Sequence, residues 1–300
     1  MSGRIGIDLG GTHIKAALFD DDARRIASET RPTRDGELDG GHPAWAAAVR
    51  SLVEAWETAH GRADAIGLAA PGMPALDGRS IRSMPVRMEG LEGFDWGEWL
   101  GRPGGVPVLN DAHAAILGEA WQGAARGRRH AVMLTLGTGV GGAAIVEGRL
   151  LRGVSGRAGH LGHISLDVNG PVGILRTPGA LEELVGECSL PARSSGRFAT
   201  TRDLLAAAVS GDEHAHRVWH DSIRALACAI ASFINVFDPE VVILGGGVTE
   251  AGDVIWTPLS RELDAVEWRP GGQPVPIIRA ALGGWAGAYG AARGEPAGVE

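Results

Sequence analysis

Three hundred residues can hold two domains that each bury a core, and ordinary proportions of hydrophobic (44%) and charged (21%) residues exclude a disordered or fibrous chain. A net charge of -8 with scattered arginines leaves no basic face for nucleic acid. Two cysteines, Cys188 and Cys228, are too few for a disulfide framework or a thiolate zinc site, and no stretch approaches the roughly 20 apolar residues of a membrane span, so a cytoplasmic chain is expected.

In chain order, the apolar run Arg4–Leu9 ends at Gly10, Gly11 and Thr12, and His13–Phe19 follows, which predicts a hairpin with a glycine turn. Trp45, Val49, Leu52, Val53 and Trp56 share one helical stripe, and residues 66–69 form a strand that stops at Pro71-Gly72. Residues 106–109 read as a strand and 111–125 as a helix, with Asp111 at the junction. Ala131–Leu136, the turn 137–142 and the run 143–146 then repeat the opening pattern of strand, glycine turn and strand. A helix over Glu213–Phe237, a strand over 241–244 and the turn Gly245-Gly246-Gly247 follow, and a last helix from about Trp285 crosses back to the first domain. The repeat predicts two similar α/β domains around a central cleft: residues 1–112, completed by a helix at about 286–300, and residues 113–285.

Glycine turns after Leu9, Leu136 and Leu244 let backbone N–H groups approach an anion, and a nucleotide is the economical common ligand. None is a G-x-x-x-x-G-K-[ST] loop. Gly137-Thr138-Gly139-Val140-Gly141-Gly142 precedes a strand instead of a helix, so it lacks the physical basis of a dinucleotide fingerprint. Asn110-Asp111 reads either as a helix cap or as a hydroxyl-binding amide beside a general base, and the two roles are compatible.

The segments 5–12, Leu109-Asn110-Asp111-Ala112, 137–142, Gly159-His160-Leu161-Gly162-His163 and Leu244-Gly245-Gly246-Gly247 resemble, in order, the motifs of ROK-family sugar kinases. The resemblance spans nearly the whole chain. It implies the actin-like ATPase (RNase H-like) fold and ATP-dependent phosphorylation of a free sugar by a homodimer. By the resemblance Asp111 is the catalytic base, and Asn110, His160, His163 and Glu182 lie at the sugar. Asp8 positions Mg2+ with ATP, while Gly10, Gly11, Thr12, Gly137, Thr138, Gly139, Gly141, Gly245, Gly246 and Gly247 hold the nucleotide. Glucose at its 6-hydroxyl is the leading substrate. Allose, mannose, an N-acylated hexosamine, kanosamine, or sugar binding without catalysis are the alternatives.

Two departures from the family pattern bear on the site. His160 stands where a glutamate usually binds sugar hydroxyls, exchanging an acceptor for a group that also donates. Gly173, Leu175 and Ala180 occupy cysteine positions of a zinc loop, so no structural zinc is expected, and packing of Ile174, Leu175 and Leu181 is expected to hold that loop. Because the chain opens almost at its first strand, the DNA-binding module of the family's regulators is not expected.

Overall fold

A computed structural model describes residues 3–85 and 87–294. Its contacts divide the chain into two units, one of residues up to 127 with 152–158 and those from 281 on, the other of residues 128–151 and 159–280. The first unit runs past the expected boundary at residue 112.

In the first unit β1 (Arg4–Leu9), β2 (His13–Phe19) and β3 (Arg25–Pro32) form an antiparallel meander. A small ladder of β4 (Leu38–Asp39) and β5 (His42–Pro43) leads into α1 (Ala44–His60). β6 (Ala65–Ala70) lies parallel to β1. After the pair β7 (Met73–Pro74) and β8 (Ile81–Ser83) and the short α2 (Trp96–Trp99), β9 (Val108–Asn110) adds parallel to β6 and turns directly into α3 (Asp111–Gln122). The order is β3-β2-β1-β6-β9. The predicted stripe of α1 is buried, and Trp45 packs edge-on to Phe94 at 5.0 Å between ring centroids.

The second unit repeats this plan with β10 (Ala131–Leu136), β11 (Val140–Val146) and β12 (Arg149–Leu150) antiparallel, and β13 (Val241–Gly245) and β14 (Ile277–Arg279) parallel, in the order β12-β11-β10-β13-β14. Its helices are α4 (Leu181–Val185), α5 (Leu190–Arg193), α6 (Thr201–Val209), α7 (Glu213–Phe237) and α8 (Asp253–Val266). Asp212 caps α7 by accepting from the Ala215 N–H, and the helix ends at Asp238 in the left-handed conformation, φ 43°. Its apolar face, from Val218 and Trp219 to Phe233 and Ile234, closes the core over β10 and β13. Among the described residues no helix is long and apolar enough to cross a membrane.

α9 (Ala286–Arg293) packs on β1, β6 and α3 within the first unit. The helix expected at about 286–300 is observed to Arg293, and residues 295–300 lie outside the described residues. The packing is backbone against backbone: a methyl at Gly6 would fall 1.8 Å from the Ala288 carbonyl oxygen, and one at Gly290 would fall 1.7 Å from that of Ala114. The segment before α9 is anchored by Glu119, which has no exposed surface. Its carboxylate accepts from the backbone N–H groups of Ala124 (2.6 Å), Ala281 (3.1 Å) and Leu282 (2.8 Å). Glu119→Ala would strand these donors, and we expect a loss of at least about 3 kcal/mol, read as a lower urea midpoint.

Candidate active site

Asp8, Ala69 and Leu109 lie in one row across β1, β6 and β9. Asp8 and Asp111 therefore emerge at the same carboxyl edge of the sheet, where open α/β folds bind ligands. Burial and, secondarily, the Asp111 carboxylate push the Asp8 carboxyl up to about 7, while Lys15, its partner in the β1–β2 register, pulls it down. Asp8 also sits against the first turn of α9. A methyl at Gly287 would lie 2.6 Å from Asp8 Oδ2, so glycine there makes room for the carboxylate.

The turn after β1 is closed by the Gly10 N–H donating to the His13 carbonyl (3.0 Å). Thr33, fully buried, pins it from below: its hydroxyl donates to the Gly10 carbonyl (2.6 Å) and its N–H to that of Thr12 (2.9 Å). Asn110 caps α3, with Oδ1 accepting from the N–H groups of Ala112 (3.0 Å) and His113 (3.2 Å), and its amide donates to the Gly72 carbonyl (3.0 Å). One amide hydrogen is left for another acceptor. Asp111 is exposed in the first turn of α3, where the helix dipole favours its negative charge, and Oδ1 accepts from the Ala112 N–H (2.8 Å).

In the second unit Thr135 pairs with Gly245, so the turns after β10 and β13 share one edge. Glu182 on α4 accepts from the Val140 N–H (2.9 Å), and a methyl at Gly139 would fall 2.1 Å from that same Oε2. The carbonyls of Gly137 and Thr138 accept from the N–H groups of Glu187 (3.1 Å) and Cys188 (2.8 Å). The segment 186–189 is in turn held by Arg193, which donates to the Gly186 carbonyl (2.9 Å) and to the hydroxyl of Ser189 (3.1 Å). Gly246 has φ 91°, and a methyl there would lie 2.0 Å from the Leu136 carbonyl oxygen. Gly162 packs equally tightly on β11, where a methyl would fall 1.8 Å from the Val140 carbonyl oxygen, and the rings of His160 and His163 nearby stack with centroids 6.3 Å apart. His163 and Glu182 line a small pocket with Glu183, Ile174, Leu175 and Thr177.

Several expectations are corrected. The second glycine turn is only Gly137-Thr138-Gly139; Gly141 pairs with Thr135 inside β11, because the strand already begins at Val140. Gly245 ends β13 and is buried, leaving Gly246 and Gly247 exposed after it. Of the three residues expected to hold the cysteine-free loop, Leu181 is fully buried in the core of the second unit, whereas Ile174 and Leu175 are 72% and 49% exposed and do not hold it. Backbone hydrogen bonds hold the rest of it, among them Leu166 N–H to the Gly179 carbonyl (2.9 Å) and Gly179 N–H to that of Pro171 (2.8 Å). Thr33, Lys15, Arg193 and Gly287 were missed; of these only Lys15 had a signal, since a short hairpin fixes it opposite Asp8.

The ROK family model matches residues 4–293. A curated glucokinase of Thermotoga maritima is 32% identical over 282 residues, covering 86% of each chain, and an N-acetylmannosamine kinase of Citrobacter koseri is 34% identical over 81% of this chain and 83% of its own. Among solved structures, a ROK hexokinase from Thermus thermophilus superimposes with a TM-score of 0.83 at 35% identity, over 97% of this chain and 96% of its own. A ROK glucokinase from Streptomyces griseus, in complex with glucose and AMPPNP, gives 0.77 at 27% identity over 97% and 98%. With both α/β units built on the repeated sheet order of the actin-like ATPase fold, the chain belongs to the ROK family and is an ATP-dependent sugar kinase.

Proposed function

We propose that this kinase converts glucose to glucose 6-phosphate, with Asp111 as the general base. The observation that carries the reading is the exposed Asp111 carboxylate at the first turn of α3, on the same sheet edge as the acid Asp8. Asp111 accepts the proton of the 6-hydroxyl as that oxygen attacks the γ-phosphorus of ATP, the bond to the bridging oxygen breaks, and ADP leaves. Asn110, through its remaining amide hydrogen, and His160, His163 and Glu182 hold the sugar. The turns 10–12, 137–139 and 246–247 offer backbone N–H groups to the phosphates.

Asp8 and Asp111 are close enough for one to raise the other's pKa, a hard-oxygen pair that fits Mg2+, which typically takes one or two carboxylates beside substrate phosphates. Asp8 would hold the ion, and when bound it neutralises charge on the transferred phosphoryl group. Family membership supports a cytoplasmic homodimer, which size-exclusion chromatography tests.

A second reading, an N-acylated hexosamine as acceptor, is favoured by the similarity to the N-acetylmannosamine kinase and by one local feature. Ile174 and Leu175 give the pocket beside His163 and Glu182 an apolar wall suited to an acyl methyl. A coupled ADP-release assay over free hexoses and N-acetylhexosamines decides between them. Glucose is expected to give a kcat/KM at least about tenfold above any N-acetylhexosamine, a gap worth about 1.4 kcal/mol. The reverse order establishes the second reading.

A further inference from the structure

The first unit contains a second pocket, of about 520 Å³, at the amino edge of its sheet, within the size range of small-molecule sites. Arg4 opens β1 at this edge, whereas Asp8 lies four residues further along the strand, about 13 Å away at the usual rise. The pocket is therefore separate from the edge that carries Asp8 and Asp111. Arg4, Arg62, Arg102 and Arg293 all line it, against the single carboxylate of Asp64. Such a cluster stands out in a chain of net charge -8.

Arg102 gives the cluster a built element. One nitrogen of its guanidinium pairs with Glu57, which also accepts from the Ala63 N–H (2.8 Å), so the group is fixed in place. Its Nε is buried and has no hydrogen-bond partner. That nitrogen is closed off by its own burial, so an anion in the pocket would meet the rest of the guanidinium, on a side chain that keeps 13% of its surface accessible. Guanidinium groups suit phosphate oxygens because their fork of donors matches two oxygens at once.

We propose that this pocket binds a phosphorylated anion, held by Arg4, Arg62, Arg102 and Arg293 and distinct from the substrates at the other edge. α9 connects the two ends of the unit: its first turn abuts Asp8 through Gly287, and its last residue, Arg293, lines the pocket. The site thus stands where an occupant bears on the placement of Asp8 through one tightly packed helix.

The test uses the full chain saturated with AMPPNP, so that the nucleotide site is filled, and titrates inorganic pyrophosphate by calorimetry. The expected result is one equivalent bound, with affinity falling at least tenfold in Arg4→Glu/Arg62→Glu and falling with added salt. Both side chains are exposed, so the variant is expected to keep the wild-type melting temperature and basal kinase rate. Arg62→Gln, which removes one charge without adding another, should give an intermediate loss. Absence of binding, or binding that neither variant weakens, overturns the proposal. Competition by a hexose 6-phosphate against pyrophosphate identifies a phosphosugar as the occupant; absence of competition identifies a free polyphosphate. None of these readouts depends on phosphoryl transfer, so they stand or fall separately from the assignment of the substrate.

Discussion

Asp111→Asn is expected to lower kcat for the preferred sugar by on the order of 10²–10⁴-fold while moving KM for sugar and ATP by less than about threefold. The reason is chemical. An amide cannot take the hydroxyl proton, yet it has the size of the carboxylate and keeps an oxygen for the Ala112 N–H. The helix start is secured independently by Asn110, so the fold is not at risk. Equal thermal midpoints for variant and wild type, beside the kinetic loss, would separate a base from a cap. If kcat stays within about tenfold of wild type, Asp111 is a first-turn acid only and the base lies elsewhere.

Asp111 also shows what local sequence pattern makes legible. A strand that runs into a helix through Asn-Asp announces a cap and an edge position, and β9 and α3 meet at that junction. The opening hairpin and α7 were equally readable, because their apolar periodicity and flanking turn or cap residues agree. The repeated strand-turn-strand pattern likewise foretold two sheets of one order. β3 carried no comparable signal: it is a largely exposed edge strand whose polar sequence resembles a loop.

What stayed hidden depends on contacts distant in sequence. Several glycines are needed for clearance that no local pattern announces: Gly139, besides lying in a turn, clears Glu182, Gly162 clears the Val140 carbonyl, and Gly6 and Gly290 admit α9. Asn110, read both as a cap and as a sugar ligand, also donates to the Gly72 carbonyl, 38 residues away in the chain, a contact that no local pattern announces. The loop without cysteines offered Ile174 and Leu175 as apparent core residues, but its length allows a backbone ladder that leaves both at the surface. Neither a ladder register nor a clearance of one methyl group is written in a local pattern.

Asp8→Asn is expected to weaken catalysis and stabilise the ligand-free protein at once. In the folded chain the Asp8 carboxyl titrates at about 7, against 3.8 for an unperturbed group, so the folded state binds the extra proton between those values. Stability therefore falls as pH rises through that window, and the penalty is complete above about 7. A rise of that size would correspond to about 4 kcal/mol for a group fully cut off from water, and the partial exposure of Asp8 reduces this to on the order of 2 kcal/mol. The asparagine variant carries no such penalty. Its melting temperature should exceed that of wild type by several degrees at pH 8 and match it near pH 4. Added Mg2+ and ATP should narrow the gap at pH 8, since the wild-type carboxylate then has a counter-charge. The same variant should need at least about tenfold more Mg2+ for half-maximal rate, because one carboxylate ligand is lost. A melting-temperature difference independent of pH would show that Asp8 is ionised throughout and that burial, with the Asp111 carboxylate beside it, does not raise its pKa.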